Sequence, residues 1–300
     1  MEANTVQQII FLVTSLEGLH KPNFTKQLKQ AAQYQVPLKV LVALVDFEQN
    51  WAVRQFIQRL GQEDPRLANV EVVTLADMVA EMPGLALTDQ ERGAVDLSGY
   101  DQRLFADQKE QVKRYLKDGH LVAELRQEND ETPMALRLYQ EDQVAQIETF
   151  GPQGNVIGVT HLEGGVPTTS YLLNNQGQAA LRFVRHQRMI EHVYNLGSTS
   201  ALSETAFSNA KQAVIDAHMT HRQRTRAEAA NGIDHTEVIN APETYYGVLV
   251  YATYHRFTDV FAYYQTVLDR VMTTETRLYI DLAVNPIMSA RMPHQLIFNY

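Results

Sequence analysis

Apolar runs and one helical stripe define the start of the chain. Ile9–Val13 and Leu38–Val45 are rich in β-forming residues and suit strands that are buried on both faces. Between them, from Asn23, apolar residues recur at helical spacing: Phe24, Leu28, Ala31 and Ala32. A strand–helix–strand unit predicts two parallel strands joined by a right-handed crossover. A second helix over 50–60 that stops at Gly61 and a third strand over 70–75 complete a Rossmann-like start.

The period of the pattern drops to two over residues 112–194, and turn signals follow at short intervals. The pair Asp118-Gly119 stands between two alternating segments, and it predicts a type I′ hairpin turn because both central residues of that turn take positive φ. No helical pattern interrupts this stretch. We therefore expect an antiparallel meander of about six to eight strands.

Helical spacing returns after the meander. The pattern predicts a helix over Ser203–Ala229, strands over Thr236–Ile239 and Tyr246–Tyr251, a helix over Asp259–Val271 that Thr258 caps, and a last strand over Gln295–Tyr300. The fold class is then α/β. A Rossmann-like domain in two pieces, 1–75 and 206–300, carries an inserted antiparallel β-meander domain over 76–205.

Composition limits the classes of function. The net charge of −9 argues against a nucleic-acid partner, because phosphate binding needs clustered Lys and Arg. The absence of cysteine excludes disulfides, thiolate metal sites and Cys nucleophiles. No basic region precedes the short apolar run Ile9–Val13, so we expect a cytoplasmic protein without a transmembrane segment. A peripheral contact with a membrane stays open.

The order of the pieces resembles the N-terminal half of bacterial family 4 glycosyltransferases of the GT-B fold, which glycosylate teichoic acids or serine-rich adhesins. The most specific stretch is Tyr246–Asp281, whose start is similar to that family's strand, His-containing loop and helix. Val271–Arg277, followed by Asp281-Leu282, is similar to the family's V-x-T-x-x-Q-x-x-D-L segment, with Thr276 near the usual Gln.

This resemblance implies the acceptor-recognising half of a retaining hexosyl- or N-acetylhexosaminyl-transferase. It implies a UDP-sugar as co-substrate, no tightly bound cofactor, and a cell-wall polymer or Ser/Thr-rich glycoprotein as acceptor. The family's nucleotide-sugar domain, with its basic pair and Glu-x7-Glu motif, is missing from the sequence, so we expect the chain to be inactive alone. The other reading is a non-catalytic partner or chaperone subunit that binds the acceptor or an active transferase.

The same resemblance points to candidate residues. His255 follows the strand over 246–251 and is the candidate catalytic residue, although it is displaced from the family's usual His position. A loop His that caps the helix over 259–271 or faces water is the alternative. Thr14, Ser15 and Gly18 follow the first strand and form a loop near the donor or acceptor, in place of the family's Gly/Ser-rich loop. An ordinary strand-to-helix turn remains the alternative for these three residues.

Charged and aromatic residues give weaker signals. Arg222, Arg224 and Arg226 can contact an anionic polymer or simply form a solvated helix end. His218 and His221 share a helix face, but the crowding arginines oppose a cation, so we expect no metal site. Carboxylate pairs such as Asp46 with Glu48 are interpreted as caps and surface charges.

The aromatic residues of the meander leave two readings open. They fill its core, or some lie on an open face and stack on a sugar or on a partner: Tyr115, Tyr139, Phe150, Tyr171 and Phe183. A meander has two edges, so we expect a homo-oligomer or a second glycosyltransferase subunit to dock through the β-sheet.

Overall fold

The computed structural model describes residues 9–34, 37–106, 110–186, 189–197, 247–251, 256–257, 259–269, 277–280, 285–293 and 295–299. The described residues fall into two compact units. The first unit lies within residues 1–44, 52–74 and 205–300, and the second unit lies within residues 45–51 and 75–204. The predicted helix over 203–229 and strand over 236–239 lie outside the described residues.

The strands and helices have the following bounds. The strands are β1 (Ile9–Val13), β2 (Leu38–Val42), β3 (Glu71–Thr74), β4 (Asp101–Ala106), β5 (Gln111–Lys117), β6 (His120–Asn129), β7 (Thr132–Gln140), β8 (Gln143–Phe150), β9 (Val156–Glu163), β10 (Val166–Leu173), β11 (Ala179–His186), β12 (Met189–Asn195), β13 (Gly247–Tyr251), β14 (Arg277–Ile280) and β15 (Leu296–Asn299). The helices are α1 (Leu16–Leu19), α2 (Pro22–Ala31), α3 (Gln49–Glu63), α4 (Leu75–Val79), α5 (Asp89–Arg92), α6 (Val260–Leu268) and α7 (Asn285–Arg291), with 3₁₀ turns at Ala32–Tyr34 and Pro65–Leu67.

The first unit contains a parallel sheet. Within the described residues its strand order is β15-β14-β13-β1-β2-β3, and each neighbouring pair is parallel. The chain therefore builds outward from β1 in one direction and then resumes on the other side of β1. This reversal creates a switch point between β1 and β13, at which open α/β sheets bind ligands. Every residue of β1 is buried, as the apolar run predicted.

Several predicted boundaries in this unit are corrected. The helix predicted to stop at Gly61 continues to Glu63, because Gly61 lets the last turn approach the backbone of Ala68, 3.1 Å from where a Cβ would stand. Strand β2 ends at Val42 rather than Val45, since its neighbour β1 ends at Val13.

The cap of α6 also differs from the prediction. Asp259 stands at the N-cap, and its carboxylate accepts the Ala262 N–H at 3.0 Å. A second carboxylate oxygen of Asp259 accepts a hydrogen bond from Arg291 at 2.6 Å. Thr258, the predicted cap, lies outside the described residues. Strand β14 and helix α7 have no counterpart in the sequence prediction.

The second unit is built on an antiparallel sheet, called the meander sheet below. In the described part of the chain it has nine strands in sequence order, β4 to β12, and every neighbouring pair is antiparallel. The predicted antiparallel meander is confirmed. The prediction of six to eight strands is too low, because it began at Val112 and missed β4, whose residues are all exposed.

The turns and bulges of the meander sheet follow the chemistry of its residues. Asp118 has φ of 51° and Gly119 has φ of 83°, as the predicted type I′ turn requires. Seven of the eight described ladders contain a register shift, and only the ladder between β4 and β5 is regular. Such bulges increase the local twist of a sheet.

The segment Val45–Trp51 packs on one face of the meander sheet. The Phe47 ring lies edge-on to Phe183, with 5.9 Å between ring centroids, and covers Gly158. The Trp51 indole donates to the Phe150 carbonyl at 2.8 Å. Trp51 is the only tryptophan of the chain, so its fluorescence reports directly on this packing.

A buried cation fixes the same segment. The Arg185 side chain is 1% exposed and donates to the Asp46 carboxylate at 2.7 Å, to the Val45 carbonyl at 2.6 Å and to the Ser170 hydroxyl at 3.0 Å. Glu48 accepts a hydrogen bond from Arg137 at 2.8 Å. Asp46 and Glu48 are therefore partners of meander arginines and not the surface charges that the sequence suggested.

Replacing Arg185 by Ala is expected to destabilise the second unit by about 3–5 kcal/mol, because removing one member of a buried ion pair leaves the other uncompensated. Denaturant unfolding followed by Trp51 fluorescence measures the change. The matched control is Arg103→Ala on the exposed strand β4, which should stay within about 0.5 kcal/mol of the parent. Equal stability of the two variants would show that the Arg185 bonds to Asp46 and Val45 do not stabilise the second unit.

Replacing Gly158 by Ala is expected to cost about 1–3 kcal/mol, since the new Cβ overlaps the Phe47 ring. Gly99→Ala is the control, because nothing lies within 4 Å of the Cβ position there. Thermal unfolding of both variants, again read from Trp51, tests the prediction. A Gly158→Ala variant that matches Gly99→Ala in stability would show that Phe47 is not held against β9.

Candidate functional site

The predicted loop after β1 lies at the carboxyl end of that strand, beside the switch point of the parallel sheet. Ser15 is the N-cap of α1, and its hydroxyl accepts the Gly18 N–H at 2.9 Å. The structure thus brings Ser15 and Gly18 together in a capped turn. That bond uses one N–H group that could otherwise meet a phosphate.

Thr14 differs from its two neighbours. Its side chain is fully buried, and its hydroxyl has no hydrogen-bond partner among the described residues. An unpaired buried hydroxyl is costly, which makes Thr14 a candidate for hydrogen bonding to a ligand. The role of Thr14, Ser15 and Gly18 in binding stays a prediction.

Aromatic residues of the first unit reach the carboxyl ends of β1 and β2, where the Ala43 N–H donates to the Val13 carbonyl at 2.9 Å. The Tyr263 hydroxyl donates to the Ala43 carbonyl at 3.3 Å, just beyond the end of β2. Tyr263 also stacks on Phe257 with 4.0 Å between ring centroids. Helix α6 is thereby tied to the carboxyl end of the parallel sheet. Sequence reasoning named the helix but did not find this contact.

The other predicted site residues lie outside the described residues. They are the candidate catalytic residue His255 and the candidate polymer contacts Arg222, Arg224 and Arg226, and the helix pair His218 and His221 lies there too. Among the residues that the structure does describe, no group of three or more His, Cys, Asp or Glu side chains is placed to hold a metal ion. No helix in the described ranges has the length and apolar character to cross a membrane.

One row of charges runs across β4 to β7 on the face of the meander sheet that carries Phe47. Arg103, Arg114, Glu124 and Arg137 stand opposite one another in register. Arg114 donates to Glu124 at 3.0 Å and lies 4.9 Å from the centroid of the Phe105 ring. Burial alone lowers the pKa of Arg137, but the Glu48 carboxylate outweighs it, and the pKa rises.

The opposite face of the meander sheet is covered by the stretch 85–100, which contains α5. The Gln146 amide donates to the Arg92 carbonyl at 2.7 Å, and His161 Nε2 lies 2.7 Å from the Glu91 carbonyl oxygen. The Tyr171 hydroxyl donates to the Glu91 carboxylate at 2.9 Å. These bonds join three strands to one short helix.

Most aromatic residues of the meander fill its core and do not lie on an open face. Tyr115, Tyr171 and Phe183 are buried in the core, and Tyr139 and Phe150 are half-buried. The exposed large apolar side chains include Leu104 at 58% and Phe105 at 49%, on the edge strand β4. These two residues were missed because an all-exposed strand carries no alternation of apolar and polar positions.

Comparison with known proteins gives a likeness of fold. No family model matches the chain, and no curated protein is similar to it in sequence. The fold is similar to that of a chain in the crystal structure of accessory secretory proteins 1, 2 and 3 of Streptococcus pneumoniae. That match has a TM-score of 0.50 and 10% identity, over 97% of this chain and 61% of that chain.

Two further structures match this chain with lower TM-scores. The glycosylation-associated Gap123 complex of Streptococcus agalactiae matches with a TM-score of 0.45 and 10% identity, over 97% of this chain and 60% of that chain. TarM of S. aureus, crystallised with UDP and α-GlcNAc-glycerol, matches with a TM-score of 0.41 and 8% identity, over 92% of this chain and 50% of that chain.

These matches define how far the likeness goes. The chain spans between 50% and 61% of the length of these three structures. At such low identity the likeness concerns the fold alone. It rests on the match to the accessory secretory chain, whose TM-score is 0.50. The resemblance found in the sequence is confirmed at that level: a mixed α/β chain with a parallel sheet and a large antiparallel sheet.

The Glu91 carboxylate generates a pH prediction. Hydrogen bonds from the Thr88 N–H and hydroxyl and from the Tyr171 hydroxyl lower the pKa of Glu91 below its ordinary 4.5. Because the folded pKa is depressed, this stabilisation is complete above the unfolded pKa and is lost as the pH falls through the folded pKa. We expect the melting temperature of the second unit to fall below about pH 4.5 with a slope that Glu91→Gln reduces.

The measurement is Trp51 fluorescence during thermal unfolding at a series of pH values from about 3 to 6. Glu131→Gln, at an exposed turn of the same unit, is the control and should keep the parent slope. An unchanged slope in Glu91→Gln would show that the bonds to Thr88 and Tyr171 do not hold Glu91 ionised.

Proposed function

We propose that the chain is the acceptor-recognising half of a retaining glycosyltransferase of the GT-B fold. The observation that supports this most is the topology: a parallel sheet with a switch point, interrupted between β3 and β13 by the meander sheet. Ligands of such parallel sheets bind at the carboxyl ends of the strands next to the switch point. Thr14 and Ser15 stand there, at the end of β1.

The proposal assigns a task to each part of the chain. The Rossmann-like pieces over 1–75 and 206–300 form the half-domain that faces the reaction, and the meander domain over 76–205 binds the acceptor or a partner subunit. A UDP-sugar is the donor, and a second domain or a second chain completes its site. The acceptor is a cell-wall polymer or a Ser/Thr-rich surface glycoprotein, and a cytoplasmic location supplies the nucleotide sugar.

Residue roles in this proposal rest on the sequence resemblance. His255 hydrogen-bonds a sugar hydroxyl or acts as an acid or base in the site. Arg222, Arg224 and Arg226 meet the phosphates of an anionic polymer. The partner, a second copy of this chain or a second glycosyltransferase subunit, adds at the edge of the meander sheet, where Leu104 and Phe105 are exposed on β4.

A second function has an observation in its favour. The Gly18 N–H donates to the Ser15 hydroxyl. This loop therefore has fewer free N–H groups to bind a phosphate than a glycine-rich loop has. The chain also has the fold of a protein from an accessory secretory complex. The alternative is a non-catalytic subunit that binds the acceptor protein or an active transferase.

The test is calorimetric titration of the chain with UDP-GlcNAc and UDP-glucose, beside binding to immobilised teichoic acid and to a Ser/Thr-rich glycoprotein. We expect acceptor binding without measurable donor binding. Thr14→Val should leave stability unchanged or raised, because the hydroxyl has no partner among the described residues. The same change should weaken transfer when an active donor-binding chain is added.

The outcomes separate the two functions. Sugar transfer after mixing with a donor-binding chain supports the enzymatic half if Thr14→Val reduces it and Glu63→Gln, at the exposed end of α3, does not. Acceptor binding with no transfer in any mixture supports the non-catalytic subunit. A chain that binds neither acceptor, donor nor transferase overturns both.

A further inference from the structure

A partly enclosed cavity of about 120 Å³ opens in the second unit, beside the end of α5. Its walls come from β8, from the turn between β8 and β9 and from the turn between β10 and β11. A cavity of about 150 Å³ holds a benzene-sized molecule, so this cavity has room for a ligand fragment of a few non-hydrogen atoms. It is too small for a whole sugar ring and large enough for one edge of a ring.

The floor of the cavity is apolar. Leu87, Val159 and Leu173 line it, and Val159 and Leu173 belong to a core cluster with Tyr171. The floor is therefore held rigidly by the meander core. It can contact the C–H groups of a ligand.

The walls are polar. The side-chain amides of Asn174 and Asn175 donate within the protein, to the Met82 carbonyl and the Glu81 carboxylate, which leaves Glu148, Arg92 and Asn155 as the polar groups open to a ligand. Glu148 lies opposite Val159 in register, is half-buried, and accepts one long bond from Gln146 at 3.4 Å. The side chains of Arg92 and Asn155 also line the cavity, and neither has a hydrogen-bond or ion-pair partner among the described residues.

The charges of the walls narrow the class of ligand. Glu148 and Arg92 line the same cavity, and the charge of Arg92 acts on the Glu148 carboxyl. Burial raises the pKa of the Glu148 carboxyl, and the charge of Arg92 offsets part of that effect. A carboxylate repels an anion such as phosphate, and a guanidinium repels a cation, so a neutral ligand with both donors and acceptors fits best.

We propose that this cavity binds two adjacent hydroxyl groups of a neutral sugar residue. A vicinal diol has four non-hydrogen atoms, two carbons and two oxygens, which matches the volume. The Glu148 carboxylate accepts hydrogen bonds from the hydroxyl groups. Arg92 and Asn155 donate to the hydroxyl oxygens, and the apolar floor packs against the C–H groups. The inference rests on the proposed function, in which the meander domain recognises a glycosylated or polymeric acceptor.

The test uses the full chain and two probes, methyl α-D-glucopyranoside and its 3-deoxy analogue, which lacks every pair of adjacent ring hydroxyls. NMR titration should show millimolar binding of the first probe, with shifts at Val159 and Leu173, and at least tenfold weaker binding of the second. Loss of a hydrogen bond to a charged group weakens binding about tenfold or more, so Glu148→Gln should do the same.

The controls keep the result specific. Glu163→Gln, an exposed residue at the end of β9, should bind the glucoside like the parent. Asn155→Ala should weaken binding about fivefold to tenfold. Unfolding of each variant, read from Trp51, verifies that the second unit remains folded.

Several results would overturn the inference. They are no binding of the glucoside up to about 100 mM, equal binding of the 3-deoxy analogue, an unchanged affinity in folded Glu148→Gln, and displacement of the probe by alanine, which would indicate a zwitterion site. Glucoside binding without acceptor binding leaves this inference standing and removes the proposed function. Acceptor binding that Glu148→Gln does not alter, with no glucoside binding, does the reverse.

Discussion

A guanidinium removed from water has to be paired, and in this protein that constraint joins the meander sheet to the segment that covers it. Arg185 on β11 is 1% exposed, so its charge is stable only while Asp46 and the Val45 carbonyl stay within hydrogen-bond distance. In the same segment, the Phe47 ring contacts Phe183 and the Trp51 indole donates to the Phe150 carbonyl. The small residue at Gly158 is the matching requirement on the sheet side.

The sequence predicted those parts of the fold that depend on neighbouring residues, such as turn conformations and apolar strands. The Asp118-Gly119 turn was readable because its backbone conformation excludes most residue pairs. Strand β1 was readable because a strand buried on both faces is an uninterrupted apolar run, and β13 was readable because its sequence is also an apolar run. Strand β4 was missed because every residue of it is exposed, and β14 was missed because only four residues form it.

The candidate sites were less accessible to sequence reasoning for a related reason. Asp46 and Arg185 are 139 residues apart in the chain, and no periodicity links them. The cavity draws its walls from α5, β8 and two separate turns, so none of its residues forms a motif. The loop at Thr14 was placed correctly at the end of β1, but its unpaired buried hydroxyl becomes visible only when the packing around it is known.

The bulges of the meander sheet govern how it can assemble. Neighbouring strands in a sheet are rotated by about 20–25° on average, and bulges add to that rotation. Irregular, twisted ladders do not stack into the flat, regular sheets of a fibre. Among the described ladders, only the one between β4 and β5 is regular, and every residue of β4 is exposed. The sheet is therefore protected against fibre formation over most of its width, and the regular edge at β4 is where that protection is weakest.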